Sequence, residues 1–190
     1  MPRTPQRATR FEIVAVVLVL LLAAYLRLNH LEWTEFKTDE AHLSQLAYDM
    51  ARHGQIPLTS IGSSVGAANL PLAAWLLAIP YAVSSDPIVA TGFIALTNVA
   101  AVVLCCLMFQ QWLRTILPPS AVMRGALMAT LLFAAAPWSV IYSRKIWAND
   151  FLPLFVVGWA WTGWLAFARR RSYALIGHAV LLAACIHLHY

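Results

Sequence analysis

The chain has 190 residues, 61% of them hydrophobic and only 11% charged, with a net charge of +5 and a mean hydropathy of +0.70. Soluble proteins average about a quarter charged, so this composition excludes an ordinary soluble domain and calls for a bilayer around most of the apolar surface. The positive balance does not point to nucleic acid, because the cations fall in small clusters between apolar runs, which is the pattern of membrane topology.

Arg3, Arg7 and Arg10 precede an apolar run from Ile13 to Leu26. No small-x-small cleavage site follows it and Arg27 comes directly after, so this is an uncleaved anchor, a span over about residues 11–31. A long polar-to-apolar stretch, about residues 32–86, separates it from the next full span. Within that stretch Thr38 is placed to cap a helix over 41–53, with Leu43, Leu46, Ala47 and Met50 at i, i+3, i+4 and i+7. That spacing predicts an amphipathic helix lying on the membrane, stopped by Gly54. The run of small residues from Thr59 to Ala68 predicts a mobile segment, either a cover for a substrate or a plain connector. Residues 71–83 are apolar but short, with Pro71 and Pro80, and read as a half-buried helix.

Further spans follow at about residues 87–113, 121–142, 151–168 and 173–190, each long enough in helical form for a hydrocarbon core of about 30 Å. The fold class is therefore all-α, a polytopic membrane helix bundle. Cys105, Cys106 and Cys185 all lie in apolar runs, so neither a disulfide nor a zinc site is expected. The chain ends at Tyr190 inside an apolar run and is read as the front part of a longer protein, inactive by itself because five spans would leave one wall of a site open to lipid.

Charge parity decides whether 71–83 crosses. If it does not, Arg3, Arg7, Arg10, Arg114, Arg124, Arg169, Arg170 and Arg171 share one side, eight of the thirteen Lys and Arg residues. The other side then holds Glu32, Glu35, Asp39, Glu40, Asp49, Asp86 and Asp150, seven of the eight acids. The positive-inside rule puts the N-terminus in the cytoplasm and the acids outside it, with the plasma membrane as the expected location.

The adjacent acids Asp39 and Glu40 fall in the first turn of the predicted surface helix. Acids there stabilise a helix by about 0.3–1 kcal/mol through its macrodipole, which is one sufficient reading. The other is chemistry at the membrane surface. Leu26-Arg27-Leu28, then Thr38-Asp39-Glu40-Ala41, the helix carrying Ala47 and Met50, and Asn69-Leu70-Pro71-Leu72-Ala73-Ala74-Trp75 together resemble the front of a GT-C-fold glycosyltransferase. The nearest group is that of the protein O-mannosyltransferases and lipid A aminoarabinose transferases, and the resemblance runs along essentially the whole chain.

That resemblance implies a sugar taken from a polyprenyl-phosphate carrier and passed, with inversion, to a lipid, glycan or protein acceptor. Asp39 would be the general base, a role that contributes about 10²–10⁴-fold. Glu40 would orient the site or assist a divalent cation, magnesium or manganese, although two adjacent acids alone say little about a metal. Asp150 matches the acid of the family's second loop, with Asn149 as its alternative. Arg144 and Lys145 are cations on the acidic side and are candidates for the donor phosphate, as are Arg27, His187 and His189. Each has a simpler use: an Arg144–Asp150 pair tying the loop, lysine or Arg27 snorkelling to headgroups, and histidines that share no helix face. Trp112, Trp138 and Trp147 read as interface anchors, and His178 receives no role.

One departure stands out. Relatives often carry a lysine before the proline of the half-buried helix, and Ala68 and Asn69 stand there instead, which puts the donor in doubt more than the fold. Two other readings remain open: a non-enzymatic lipid-binding or transport protein whose acids only cap helices, and an oligosaccharide transferase or ligase using a whole-glycan donor.

Overall fold

The computed structural model describes residues 9–62 and 69–188. Arg3, Arg7, His189 and most of the small-residue run at 59–68 therefore lie outside the described residues. Eight α-helices account for nearly all the regular structure: α1 (Arg10–Leu28), α2 (Thr38–His53), α3 (Leu72–Val83), α4 (Pro87–Leu113), α5 (Pro119–Ala135), α6 (Pro137–Tyr142), α7 (Leu152–Gly163) and α8 (Tyr173–Leu188). There is no strand among the described residues.

Three helical segments are long and apolar enough to cross a membrane: Arg10–Leu28, Pro87–Leu113 and Ala148–Ala168. The third joins a 3-10 turn (Ala148–Phe151), α7 and a π-helical turn (Trp164–Ala168). Helices α5 and α8 are apolar but shorter, with 17 and 16 described residues. Helix α1 packs on α4 and α5, α4 on α5 and α7, and α7 on α8. The interfaces are made by small side chains: Ala23 of α1 meets Val102 of α4 and Ala134 of α5, all fully buried. Lipid tails are as apolar as leucine, so helices in a bilayer gain from close backbone approach, which alanine permits. Phe11, Leu18, Leu21 and Tyr25 stay on the outward face of α1.

Helix ends follow local chemistry. Thr9 and Glu12 close a capping box at the start of α1 (Glu12 N–H to Thr9 Oγ1, 3.2 Å; Thr9 N–H to Glu12 Oε2, 2.8 Å). Asp86 caps α4 by accepting from the Ile88 amide at 2.9 Å, with Pro87 at the first helical position. Gly54 ends α2 in the left-handed region, φ +70°, as its position predicts.

Helix α3 packs against α2 and also meets α4 and α8. Three expectations are corrected. The apolar face of α2 does not lie open to lipid: Leu43 and Ala47 are buried with Ala73, Ala74, Leu77 and Tyr81 of α3. Helix α2 begins at Thr38, and Lys37 occupies the cap position in place of Thr38. The continuous span predicted over 121–142 is also broken, between Ala135 and Pro137. Proline has no N–H to give the Phe133 carbonyl and drives Ala136 to φ −58°, ψ 122°, out of the helix.

At the arginine-rich end, His178 of α8 occupies a notch in α7. Its Nδ1 lies 3.0 Å from the Trp159 carbonyl, and its ring stacks on Trp159 and meets Phe167 edge-on. A Cβ on Gly163 would come within 2.8 Å of the imidazole Cε1. The ring is held on both sides and has little room to yield. Gly163→Ala is therefore expected to cost about 1–3 kcal/mol by overpacking. Thermal unfolding of Gly163→Ala, His178→Ala and the double variant checks this: the double should be more stable than the sum of the singles.

Candidate active site at the acidic end

The site is built from the first turn of α2 and the loop that enters α7. Starting α2 at Thr38 puts Asp39 at the second and Glu40 at the third helical position. Glu40 turns back, and its Oε2 accepts from the Lys37 amide at 3.0 Å. Its Oε1 lies 2.9 Å from the Lys145 ammonium, which also reaches Glu35 at 3.0 Å and rests 4.4 Å above the Trp147 ring. Glu40 is 3% exposed, and the Lys145 side chain 17%. Asp39 points away from this knot into the open, with no hydrogen bond or ion pair to another described side chain.

A polar cavity of about 350 Å³ is lined by Glu35, Lys37, Thr38, Asp39, Glu40, Lys145 and Trp147. Trp147 also lines a second cavity, of about 560 Å³, between α5–α6 and α7. Its walls are mostly apolar, Phe133, Trp138, Tyr142, Pro153, Val156 and Val157 among them, with Ser139, Asn149 and Asp150 as polar members. Asp150 is 2% exposed, and its buried Oδ2 has no hydrogen-bond partner among the described residues. Trp147 is thus common to the lining of a charged cavity and an apolar one.

The electrostatics of Glu40 and Lys145 are tied. Burial alone would raise the Glu40 pKa, but hydrogen bonds from Lys145 and from backbone amides outweigh it and hold the carboxyl below the ordinary glutamate range. Burial likewise works against the Lys145 charge, and the bonds to Glu40 and Glu35 outweigh it, so its pKa is raised. A depressed carboxyl stabilises the fold above its unfolded value, about pH 4.3, and that contribution is lost as pH falls through the folded value. The raised lysine contributes below about pH 10.4 and loses its contribution as pH climbs through its folded value. Thermal stability is thus expected to fall in acid below about pH 4.3, less steeply in Glu40→Gln. An unchanged slope in that variant would place the acid sensitivity elsewhere.

The structure brings Asp39, Glu40 and Lys145 to one cavity and Asp150 to the adjoining one. Arg144 stands beside them, donating from Nη2 to the His30 carbonyl, while its own carbonyl accepts from Thr34 Oγ1. That ties the α7 loop to the end of α1 and does not pair Arg144 with Asp150. Arg27 is elsewhere: it is 0% exposed and bonded to carbonyls of α5, so it does not snorkel to headgroups. His187 sits half-buried on the last turn of α8 and lines neither cavity. Among the described residues no group of three or more His, Cys, Asp or Glu is placed to hold a metal ion. Both Glu40 oxygens already accept hydrogen bonds, from Lys145 and the Lys37 amide, which leaves Asp39 as the open carboxylate of the cavity.

Two residues were read too simply from sequence. Trp147 lines both cavities as well as being an aromatic near a span end. Asn98, in the middle of α4, received no role, yet its Nδ2 donates to the Asp150 carbonyl at 2.7 Å. A lone asparagine in a 27-residue apolar helix was the available signal.

The fold and site define an all-helical chain, with three helices able to cross a membrane, that carries a charged cavity and an apolar one on a shared wall. Comparison with protein-family models, with curated proteins and with solved structures finds no match.

Proposed function

We propose that this chain is a membrane glycosyltransferase of the GT-C kind, a hexosyl- or pentosyltransferase working on the extracytoplasmic face of the plasma membrane with its N-terminus in the cytoplasm. It takes a sugar from a polyprenyl-phosphate carrier and passes it, with inversion, to a lipid, glycan or protein acceptor. The observation that carries this reading is the shared Trp147 wall. A polyprenyl-linked sugar has a polar head on an apolar chain, and a charged cavity abutting an apolar one suits both parts.

Asp39 is the general base, because its carboxylate is open to the cavity and unengaged, so an acceptor hydroxyl can reach it. Glu40, locked by Lys145 and the Lys37 amide, fixes the first turn of α2 and so the direction of Asp39. Asp150 offers its unpartnered oxygen to a hydroxyl of the sugar. Arg144 and Lys145 are the cations for the leaving phosphate. Lys145 must then exchange a carboxylate for the phosphate as negative charge develops there.

A second reading has its own support. Lys37 and Lys145 are already paired with Glu35 and Glu40, so the charged cavity presents no spare lysine to a phosphate. A lipid-binding or transport protein would need none. The test is to incubate the full-length protein in lipid nanodiscs with radiolabelled polyprenyl-phosphate sugars and an extract of candidate acceptors. Label moving to an acceptor supports transfer. Carrier that binds and is recovered intact with its sugar supports the lipid-binding reading.

A further inference from the structure

Arg27 and Asn98 lie deep among apolar side chains, and their bonds go almost wholly to backbone. Arg27, on α1, donates from Nη1 to the Ala134 carbonyl at 2.8 Å and from Nη2 to the Phe133 carbonyl at 3.3 Å and Ser139 Oγ at 2.8 Å. A weaker contact joins Nη1 to the Ala23 carbonyl of its own helix at 3.4 Å. None of these partners is charged. A guanidinium surrounded by apolar groups with no carboxylate against it is costly, so its retention calls for a reason.

The break at Pro137 supplies one. The Phe133 carbonyl would accept from the amide of residue 137, which in proline does not exist, and the Ala134 carbonyl is stranded where α5 stops. At membrane depth a stranded carbonyl needs a protein donor. Arg27 gives one to each and, through Ser139, also fixes the first turn of α6. On the opposite wall Asn98 ties a turn to its helix: its Nδ2 donates to the Asp150 carbonyl at 2.7 Å and, within α4, to the Ile94 carbonyl at 3.1 Å. The two tethered stretches face each other across the 560 Å³ cavity: Phe133, Trp138 and Ser139 on one side, Asn149 and Asp150 on the other.

We propose that Arg27 and Asn98 are positioning residues that set opposite walls of the apolar cavity, Arg27 by pinning the α5–α6 break and Asn98 by pinning the Asp150 turn. Arg27 is then a determinant of cavity width and hence of the bulk of the apolar chain that fits. This holds whether the cavity serves sugar transfer or lipid binding alone.

Fluorine NMR of the protein labelled with 5-fluorotryptophan tests it, with lines assigned by single Trp→Phe replacements. Trp138 reports the α6 wall. Trp147, whose carbonyl accepts from the Asp150 amide at 3.2 Å, reports the other. Trp75 on α3, bonded to the Pro57 carbonyl, is the remote reference. Arg27→Met should move the Trp138 line by more than its width and leave Trp147 and Trp75 in place, with Arg27→Lys moving it back in part. Asn98→Leu should move Trp147 and not Trp138. If both lines move together in each variant, or neither moves while Trp75 keeps its place, the assignment is overturned. Should Arg27→Met not fold, Ser139→Ala removes one acceptor alone and must still shift Trp138; an unmoved line there also overturns it.

Discussion

Asp39→Asn is expected to lower sugar transfer by about 10²–10⁴-fold, the usual share of a general base, while leaving the fold intact. The side chain is exposed and makes no bond to another described side chain, so its loss removes only a favourable charge from the first turn of α2. Transfer rate and thermal unfolding measured on the same preparation separate the two uses of this acid. A cap predicts a small loss of stability with full activity. A base predicts the reverse. Asp39→Glu should retain some of the rate, because a carboxylate remains within about one methylene of its place.

The second large effect falls on Lys145. Replacing it by methionine keeps the stem over Trp147 but leaves Glu40 charged, 3% exposed and without a cation. Removing one partner of a buried pair costs about 3–5 kcal/mol, and exposed pairs are worth about 0–1 kcal/mol. Lys145 is partly open and Glu35 more so, so a loss of about 2–3 kcal/mol is expected, between those ranges. Adding Glu40→Gln should return part of that stability, since the uncompensated charge is then gone. Thermal unfolding of the two singles and the double checks it. A double variant as unstable as the sum of its singles would mean that Lys145 acts through Glu35 or Trp147 and not through Glu40.

Much of the fold was legible because the bilayer imposes simple rules. A short apolar stretch that starts at Pro71 and contains Pro80 marked a separate helix over 71–83, and α3 forms there, packed against α2. Gly54 marked the end of α2 because a left-handed turn there suits glycine. The break in the span predicted over 121–142 was also written in the sequence, as Ala136-Pro137. Total hydropathy passes over it because alanine, proline and tryptophan keep the stretch apolar.

The site was legible only in part. Adjacent acids at a helix start are visible by type, but the helix phase decides which is buried. Glu40 shares the buried stripe of Leu43, Ser44 and Ala47 at i+3, i+4 and i+7, so it turns inward and Asp39 outward. Charge counting treated Arg27, Arg144 and Lys145 as cations open to a phosphate. Their partners are the carbonyls of Phe133 and Ala134, the carbonyl of His30, and the carboxylates of Glu35 and Glu40. Most of those contacts join residues more than 100 positions apart, which no local pattern reveals.

In the proposed reaction Asp39 deprotonates the acceptor hydroxyl, which displaces the carrier phosphate at the sugar carbon in one step. The most direct measurement is the anomeric configuration of the transferred sugar, by NMR of the product formed from a polyprenyl-phosphate donor of known configuration. A single displacement gives a product of opposite configuration. A product of retained configuration, or donor recovered with its sugar still attached, would contradict it.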